Sequence, residues 1–211
     1  WDFACLRRAC TACHLQTRDG NDERGLFPNE GNAVFGRLQL EGKDGVTRPD
    51  GSGIVLFLEA PGLEVRPLGR PQVISQRERR FLPNVLAVTR GTTVRFPNDD
   101  VGVHDVFPLS RSNPFDPGSY GKGLAKEQVL ANPGLVKVHC NIHPDMVANV
   151  LVLDTGFSAV TSADGSWVIP DVPDGDYTLR VWHPFADEQR QPQPIAGGKA
   201  HAVAITVGNP S

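Results

Sequence analysis

The sequence predicts an all-β protein: a Greek-key β-sandwich combined with a second small β-sandwich, behind a short, mostly irregular N-terminal segment. Three observations carry that expectation. Glycine (22) and proline (18) are abundant among 211 residues, and aromatics are few. No long stretch repeats with the helical period. Apolar residues instead alternate in short runs separated by Gly-, Asp- and Pro-rich turns.

The elements follow in order. Residues 1–32 are cysteine-rich and then turn-rich, with at most one short helix over 2–15. From Val34, "VFGRLQL" and "GIVLFLEA" read as strands. "PNVLAVTRGTTVRF" reads as two strands broken at Arg90-Gly91, a hairpin-like signal. "SRSNPFDPGSYGKG" reads as an irregular loop, and "GLVKVHC" and "MVANVLVLD" as strands flanking a tight turn. After Asp154, "FSAVT", "WVIPDV" and "YTLRVW" are strands joined by the turns "ADGS" and "PDGD". "HAVAITV" is the last strand, after a Pro/Gly-rich loop over 184–198. The expected domains are 1–32, 33–155 and 156–211. The favoured arrangement instead pairs residues 34–60 against 156–208, which inserts one sandwich into the other; the simpler alternative is a tandem order with accessory strands after 155.

Composition narrows the function classes. A net charge of −3 with both signs scattered gives no footprint for nucleic acid or a membrane surface. No apolar run approaches a membrane span. A chain opening on "WDFAC" reads as the mature product of a cleaved precursor. Three cysteines crowd into residues 5–13 and the fourth stands alone at 140, which is not an even disulfide framework.

The run "VKVHCNIHPDM" holds the chain's one methionine, two of its six histidines and the isolated cysteine. Alternation puts Val136, Val138 and Cys140 on one face of a strand and Leu135, Lys137 and His139 on the other. Cys140 then points inward from the end of a buried strand, and the turn "NIHPD" brings back His143 and Met146. A thiolate, an imidazole and a thioether at C-x2-H-x2-M need one more imidazole, and "FPNDDVGVHDVFP" offers His104. A cysteine and two histidines with a weak axial methionine form the blue-copper arrangement. Soft sulfur favours Cu(I) and imidazole suits both oxidation states, so this donor set moves single electrons. A buried free Cys, a surface His and a core Met are ordinary one at a time. Together at this spacing they point to copper. His139 faces away from Cys140 and is expected at the surface or behind the ligands.

At these residues the chain resembles a known family. "RPQVISQRERRFLPNVLAVTRGTTVRFPNDDVGVHDVFP", "NPFDPGSYGKG" and "VHCNIHPDM" are similar to cupredoxins with a short, amicyanin-like ligand loop, and more closely to bacterial methylamine-utilisation-type cupredoxins. The resemblance covers most of residues 34–190. It implies copper ligands at His104, Cys140, His143 and Met146, with His143 beside Pro144 reaching the surface through an apolar patch. Asp105 stands where many cupredoxins have an Asn bracing the ligand loop. An ionised Asp there would favour Cu(II). "SAVTSADGSWVIPDVPDGDYTLRVWHP" resembles the second half of an Ig-like, transthyretin or carboxypeptidase-regulatory sandwich.

"CTACH", residues 10–14, is the C-x-x-C-H attachment signature of c-type haem. Cys10 and Cys13 would bond the haem and His14 would be the axial ligand. "GLFPNEGN" resembles class I cytochromes c, in which a proline such as Pro28 braces that histidine. With the methionine assigned to copper, the sixth haem ligand would be His183, His201, a group from another chain, or none. Disulfide pairing among Cys5, Cys10 and Cys13, or zinc with His14, are the alternatives.

These readings describe a periplasmic or cell-surface electron-transfer protein, not an enzyme, with type 1 copper and a c-type haem. Its partner would be a c-type cytochrome or a dehydrogenase, and a homo-oligomer or larger complex is open. The alternatives are a structural or assembly subunit of a multi-haem or redox complex, a copper protein without haem, or a copper store. An oxidase or nitrite reductase needs a second, imidazole-rich copper site, and the remaining histidines are dispersed in sequence.

Overall fold

The computed structural model describes residues 32–41, 50–116, 118–198 and 200–208. The haem motif (Cys10, Cys13, His14), together with Cys5 and Pro28, lies outside the described residues. Every regular element among the described residues is a strand, as the composition predicts. In chain order these are β1 (Asn32–Glu41), β2 (Val55–Glu59), β3 (Gln72–Val73), β4 (Ser75–Arg77), β5 (Arg80–Leu82), β6 (Val85–Thr89), β7 (Thr92–Pro97), β8 (His104–Pro108) and β9 (Ser119–Tyr120). There follow β10 (Ala125–Leu130), β11 (Gly134–Cys140), β12 (Val147–Leu153), β13 (Ser158–Val160), β14 (Ser166–Val172), β15 (Gly175–His183), β16 (Ala186–Ile195) and β17 (Ala200–Gly208).

Two sheets face each other around the first core. One runs β6-β12-β11-β8-β9 and the other β10-β7-β3, with the hairpin β4-β5 alongside. Alternation fills the space between them: Val136, Val138 and Cys140 from β11 and Ala148, Val150 and Val152 from β12 meet Val94 and Phe96 of β7 and Leu130 of β10. The sequence expectation of a hairpin at Arg90-Gly91 is corrected here. β6 pairs with β12 while β7 pairs with β10 and β3, so the turn carries the chain from one sheet to the other. Gly91 there has φ +81° and donates to the Leu130 carbonyl, while Arg90 donates to Leu153. A glycine turn reverses the chain equally well for either partner, and the burial of Val88 and Val94 in one core selects the corner.

The second sandwich pairs β14-β1-β17 against β13-β2-β15-β16. β1 runs antiparallel to β14 and parallel to β17, and β2 lies between β13 and β15. Val34 and Leu38 of β1 and Leu56 and Leu58 of β2 share a core with Trp167, Ile169, Leu179 and Val181. β1 and β2 therefore pair with strands beyond residue 156. In sequence, the strands β3–β12 are enclosed between β2 and β13. The Pro/Gly-rich stretch read as a loop over 184–198 is largely the strand β16. Its Pro192 and Pro194 sit opposite Thr178 and Asp176 on an edge strand, where a missing N–H costs no ladder bond.

A smaller apolar cluster joins the two sandwiches. Val55 and Phe57 of β2 and Trp182 of β15 pack on Val85, Ala87, Leu151 and Leu153, which project from the outer face of the β6-β12 pair. The Arg180 guanidinium stands 5.0 Å above the Phe57 ring and pairs with Glu59 and Glu188 at the margin.

Candidate metal centre

Three features of the strands place the site. β11 delivers Cys140 inward at its last position, with Val136 and Val138 fully buried behind it on the same face. β8 pairs with β11 so that Val106 lies opposite Cys140, which sets His104, two residues away on the same face, beside the sulfur. The tight loop after Cys140 closes through Met146 N–H donating to the His143 carbonyl (3.0 Å) and Cys140 N–H donating to the Met146 carbonyl (3.2 Å). Asn141 is braced twice on Asp105, N–H to carbonyl (2.9 Å) and side chain to carboxylate (2.8 Å). This carboxylate does the bracing that the resemblance assigns to an amide.

Three of the predicted residues converge. His104 Nδ1 and His143 Nδ1 are 3.1 Å apart, and Cys140 Sγ is 3.7 Å from each. A triangle with those sides has a circumradius of about 2.0 Å, close to the roughly 2.0–2.3 Å that metal–imidazole and metal–thiolate bonds require. Among the described residues these three form the one cluster of His, Cys and carboxylate ligand atoms of metal-binding dimensions. His104 is completely buried, Cys140 is buried as a free thiol, and Met146 lies in the same core cluster. The donor set fits a soft, three-coordinate ion with a thioether nearby.

The surroundings hold the ligands rather than compete with them. Asn98, fully buried, donates its amide to the carbonyls of Gly102 and Tyr120 and accepts from Asp100 N–H, fixing the loop that leads into His104. Tyr120, opposite His104 in the β8-β9 pair, donates to the Phe96 carbonyl and accepts from Gln76. Burial, with a smaller push from Cys140, drives its phenol up to about 12, so it stays a neutral donor. Asp100 bonds His104 Nε2 at 3.1 Å, and a hydrogen bond from the Arg79 N–H, more than any other cause, holds its carboxyl below the ordinary range. Asp100 did not stand out in the sequence, and Asn98 did so only within the "FPN" that carries the resemblance, with no role assigned to it. Their signal, "FPNDD" four to eight residues before a ligand, has meaning only once the loop is folded. On the loops that carry the two histidines, Val101 (88% exposed), Val103 (50%) and Ile142 (49%) face outward, and His143 is half-buried.

The other histidines are elsewhere. His139 points to the outer face of β11, as alternation requires, but it is half-buried rather than at the surface. Its ring lies 6.0 Å from Phe107, and its Nε2 is buried with no hydrogen-bond partner among the described residues. Burial, then Lys137, holds its pKa below the ordinary histidine range. His183 is half-buried at the end of β15, accepting from Phe185 N–H through Nδ1 (3.3 Å). His201 on β17 places Nε2 3.4 Å from the side-chain oxygen of Asn32.

Comparison with solved structures returns a cupredoxin, amicyanin variants and a Cu-containing nitrite reductase. Over 39% of this chain and 99% of its own, the purple cupredoxin from Nitrosopumilus maritimus is similar at 24% identity and a TM-score of 0.36. A reduced amicyanin variant is similar over 46% of this chain and 99% of its own, at 20% identity and a TM-score of 0.38. The Cu-containing nitrite reductase from Thermus scotoductus is similar at 30% identity and a TM-score of 0.39, over 46% of this chain but 25% of its own. No family model matches the chain, and no curated protein does. The ligand triangle, not these likenesses, is the ground for assigning a function.

Proposed function

We propose that this chain is an electron-transfer protein whose inserted sandwich is a cupredoxin holding one type 1 copper ion, with His104, Cys140 and His143 as the trigonal ligands and Met146 as the axial one. The observation that carries this reading is the triangle of two imidazole nitrogens and one sulfur sized to a single metal ion. Bound there, copper would supply one-electron chemistry between Cu(I) and Cu(II). The chain's own residues prepare for it. His104 is held from behind, Cys140 sits at the end of a packed strand, and the loop 141–145 is braced at both ends. A ligand set fixed by a folded core changes little between oxidation states, which keeps the barrier to electron movement low. His143, half-buried beside the exposed Ile142, is the ligand through which electrons would reach a docked protein.

The wider reading has a c-type haem on Cys10 and Cys13 with His14 as axial ligand, resting on the C-x-x-C-H spacing alone. His183 is half committed as a sixth ligand, since its Nδ1 already accepts a backbone bond, and its Nε2 is the nitrogen left to offer. Export to the periplasm or cell surface suits both groups, and a c-type cytochrome or dehydrogenase suits the exposed apolar rim. The chain acts as a carrier, not an enzyme. Steady turnover of oxygen or nitrite would overturn that.

Adding Cu(II) to the metal-free protein is expected to give an intense thiolate-to-copper visible band, which Cys140→Ser abolishes. A colourless copper-loaded wild type removes the reading. For haem, protein made with cytochrome-maturation machinery is expected to show a Soret band and a covalent haem mass on the N-terminal peptide. Absence of both ends that part.

A further inference from the structure

Building on the copper reading, we propose that Asp100 is a positioning residue for the site, fixing the His104 ring from behind and tying it to the β4-β5 hairpin. One oxygen does both: Asp100 Oδ2 lies 3.1 Å from His104 Nε2 and 2.7 Å from the Arg79 N–H that donates to it. The Arg79 amide is aimed there because Glu78 and Arg79 both take left-handed φ (52° and 56°), the backbone of a two-residue turn between β4 and β5. The hairpin is fastened to the ligand loop at two further points. Ser75 Oγ donates to the Asp99 carboxylate, and Asp99 N–H donates to the Gln76 carbonyl. Asp100 itself is held from the loop side by its N–H bond to the buried Asn98 side chain.

The consequences for His104 are physical. An imidazole that offers Nδ1 to a metal carries its proton on Nε2, and an acceptor at Nε2 selects that tautomer and fixes the ring plane. An anionic acceptor also makes the ring a better donor, which favours the more highly charged oxidation state. Asp105, the acid that the sequence singles out for such an effect, commits its carboxylate to Asn141 instead. Among the described residues, Asp100 is the carboxylate that touches a ligand ring.

Two variants separate position from charge. Asp100→Asn keeps an acceptor and removes the charge; Asp100→Ala removes both. In metal-free protein, nitrogen-resolved NMR of the imidazoles is expected to show His104 as the Nε2–H tautomer in wild type and Asp100→Asn, and as a mixture in Asp100→Ala. In copper-loaded protein, Asp100→Asn is expected to weaken the preference for Cu(II) over Cu(I) about tenfold, about 59 mV upward for one electron. A His104 tautomer indifferent to Asp100→Ala overturns the positioning role. A shift in potential no larger than that of Asp105→Asn overturns the tuning role, since Asp100 would then be one nearby charge among others. The tautomer measurement needs no metal, so it stands whether or not the blue band forms.

Discussion

His183 shows how one side chain's surroundings write a pH dependence. Burial alone holds its pKa below the ordinary value of about 6.5, and its Nδ1 already accepts the Phe185 N–H. In the folded state the neutral ring is therefore preferred. Above pH about 6.5 both states are neutral and the stability is complete. As pH falls through that value the unfolded chain binds the proton first, and stability is lost. His183→Asn keeps an acceptor near the Nδ1 position but cannot titrate. Melting temperatures measured from about pH 7 to about pH 5 are expected to fall less for the variant than for wild type. Equal slopes would show that the loss arises elsewhere. At this scale the sequence was partly legible. Cys140, His143 and Met146 announce themselves because three rare side chains share one short loop. His104 follows from needing a second imidazole. Asp100 does not, and Asn98 is visible only within "FPN" and without a role, because an amide and a carboxylate are common, and their roles depend on a loop geometry that periodicity does not encode. The orphan Nε2 of His139 is likewise a product of packing, not of pattern.

Turns decide the elements more than propensities do. Gly165, in the "ADGS" turn, has φ +78°, its carbonyl accepts the Leu38 N–H, and a Cβ there would lie 2.1 Å from the Leu38 carbonyl oxygen. Asp164 locks the same turn, accepting from Ser162, Ser166 and Arg37, and those bonds, Ser166 foremost, hold its carboxyl well below the usual range. Gly165→Ala is expected to cost about 2 kcal/mol or more, from left-handed backbone and a collision with backbone that cannot yield. Urea titration followed by Trp167 fluorescence would measure it; a midpoint unchanged from wild type would mean that the turn relaxes freely. The strands with alternating apolar residues (β7, β11, β14, β15 and β17) were readable in advance. β10, β16 and the β4-β5 hairpin were not. Their sequences, "AKEQVL", "ADEQRQPQPI" and "SQRERRFL", are mostly polar because they sit at sheet edges or alone, and their partners, not their composition, make them strands.

At the scale of the molecule, the cluster around Phe57 makes two sandwiches mechanically one. Phe57→Ala removes a buried ring from between Leu151 and Val85 on one side and its own sheet on the other. The expected loss is about 3 kcal/mol. In wild type, loss of the copper band and loss of Trp182 fluorescence on heating are expected to coincide; in the variant they separate. Coincident transitions in Phe57→Ala would mean that the linking strands, not the apolar seam, couple the halves. The segment between β2 and β13 also begins and ends on neighbouring antiparallel strands, with Phe57 opposite Ser158. Its two ends thus leave the host side by side, so the whole enclosed sandwich can be added to, or removed from, the host by a single gene insertion without breaking any strand. A laboratory cassette swap at residues 60–157 exploits the same geometry: the host keeps its ladder, and what must be redesigned is the uncovered apolar seam.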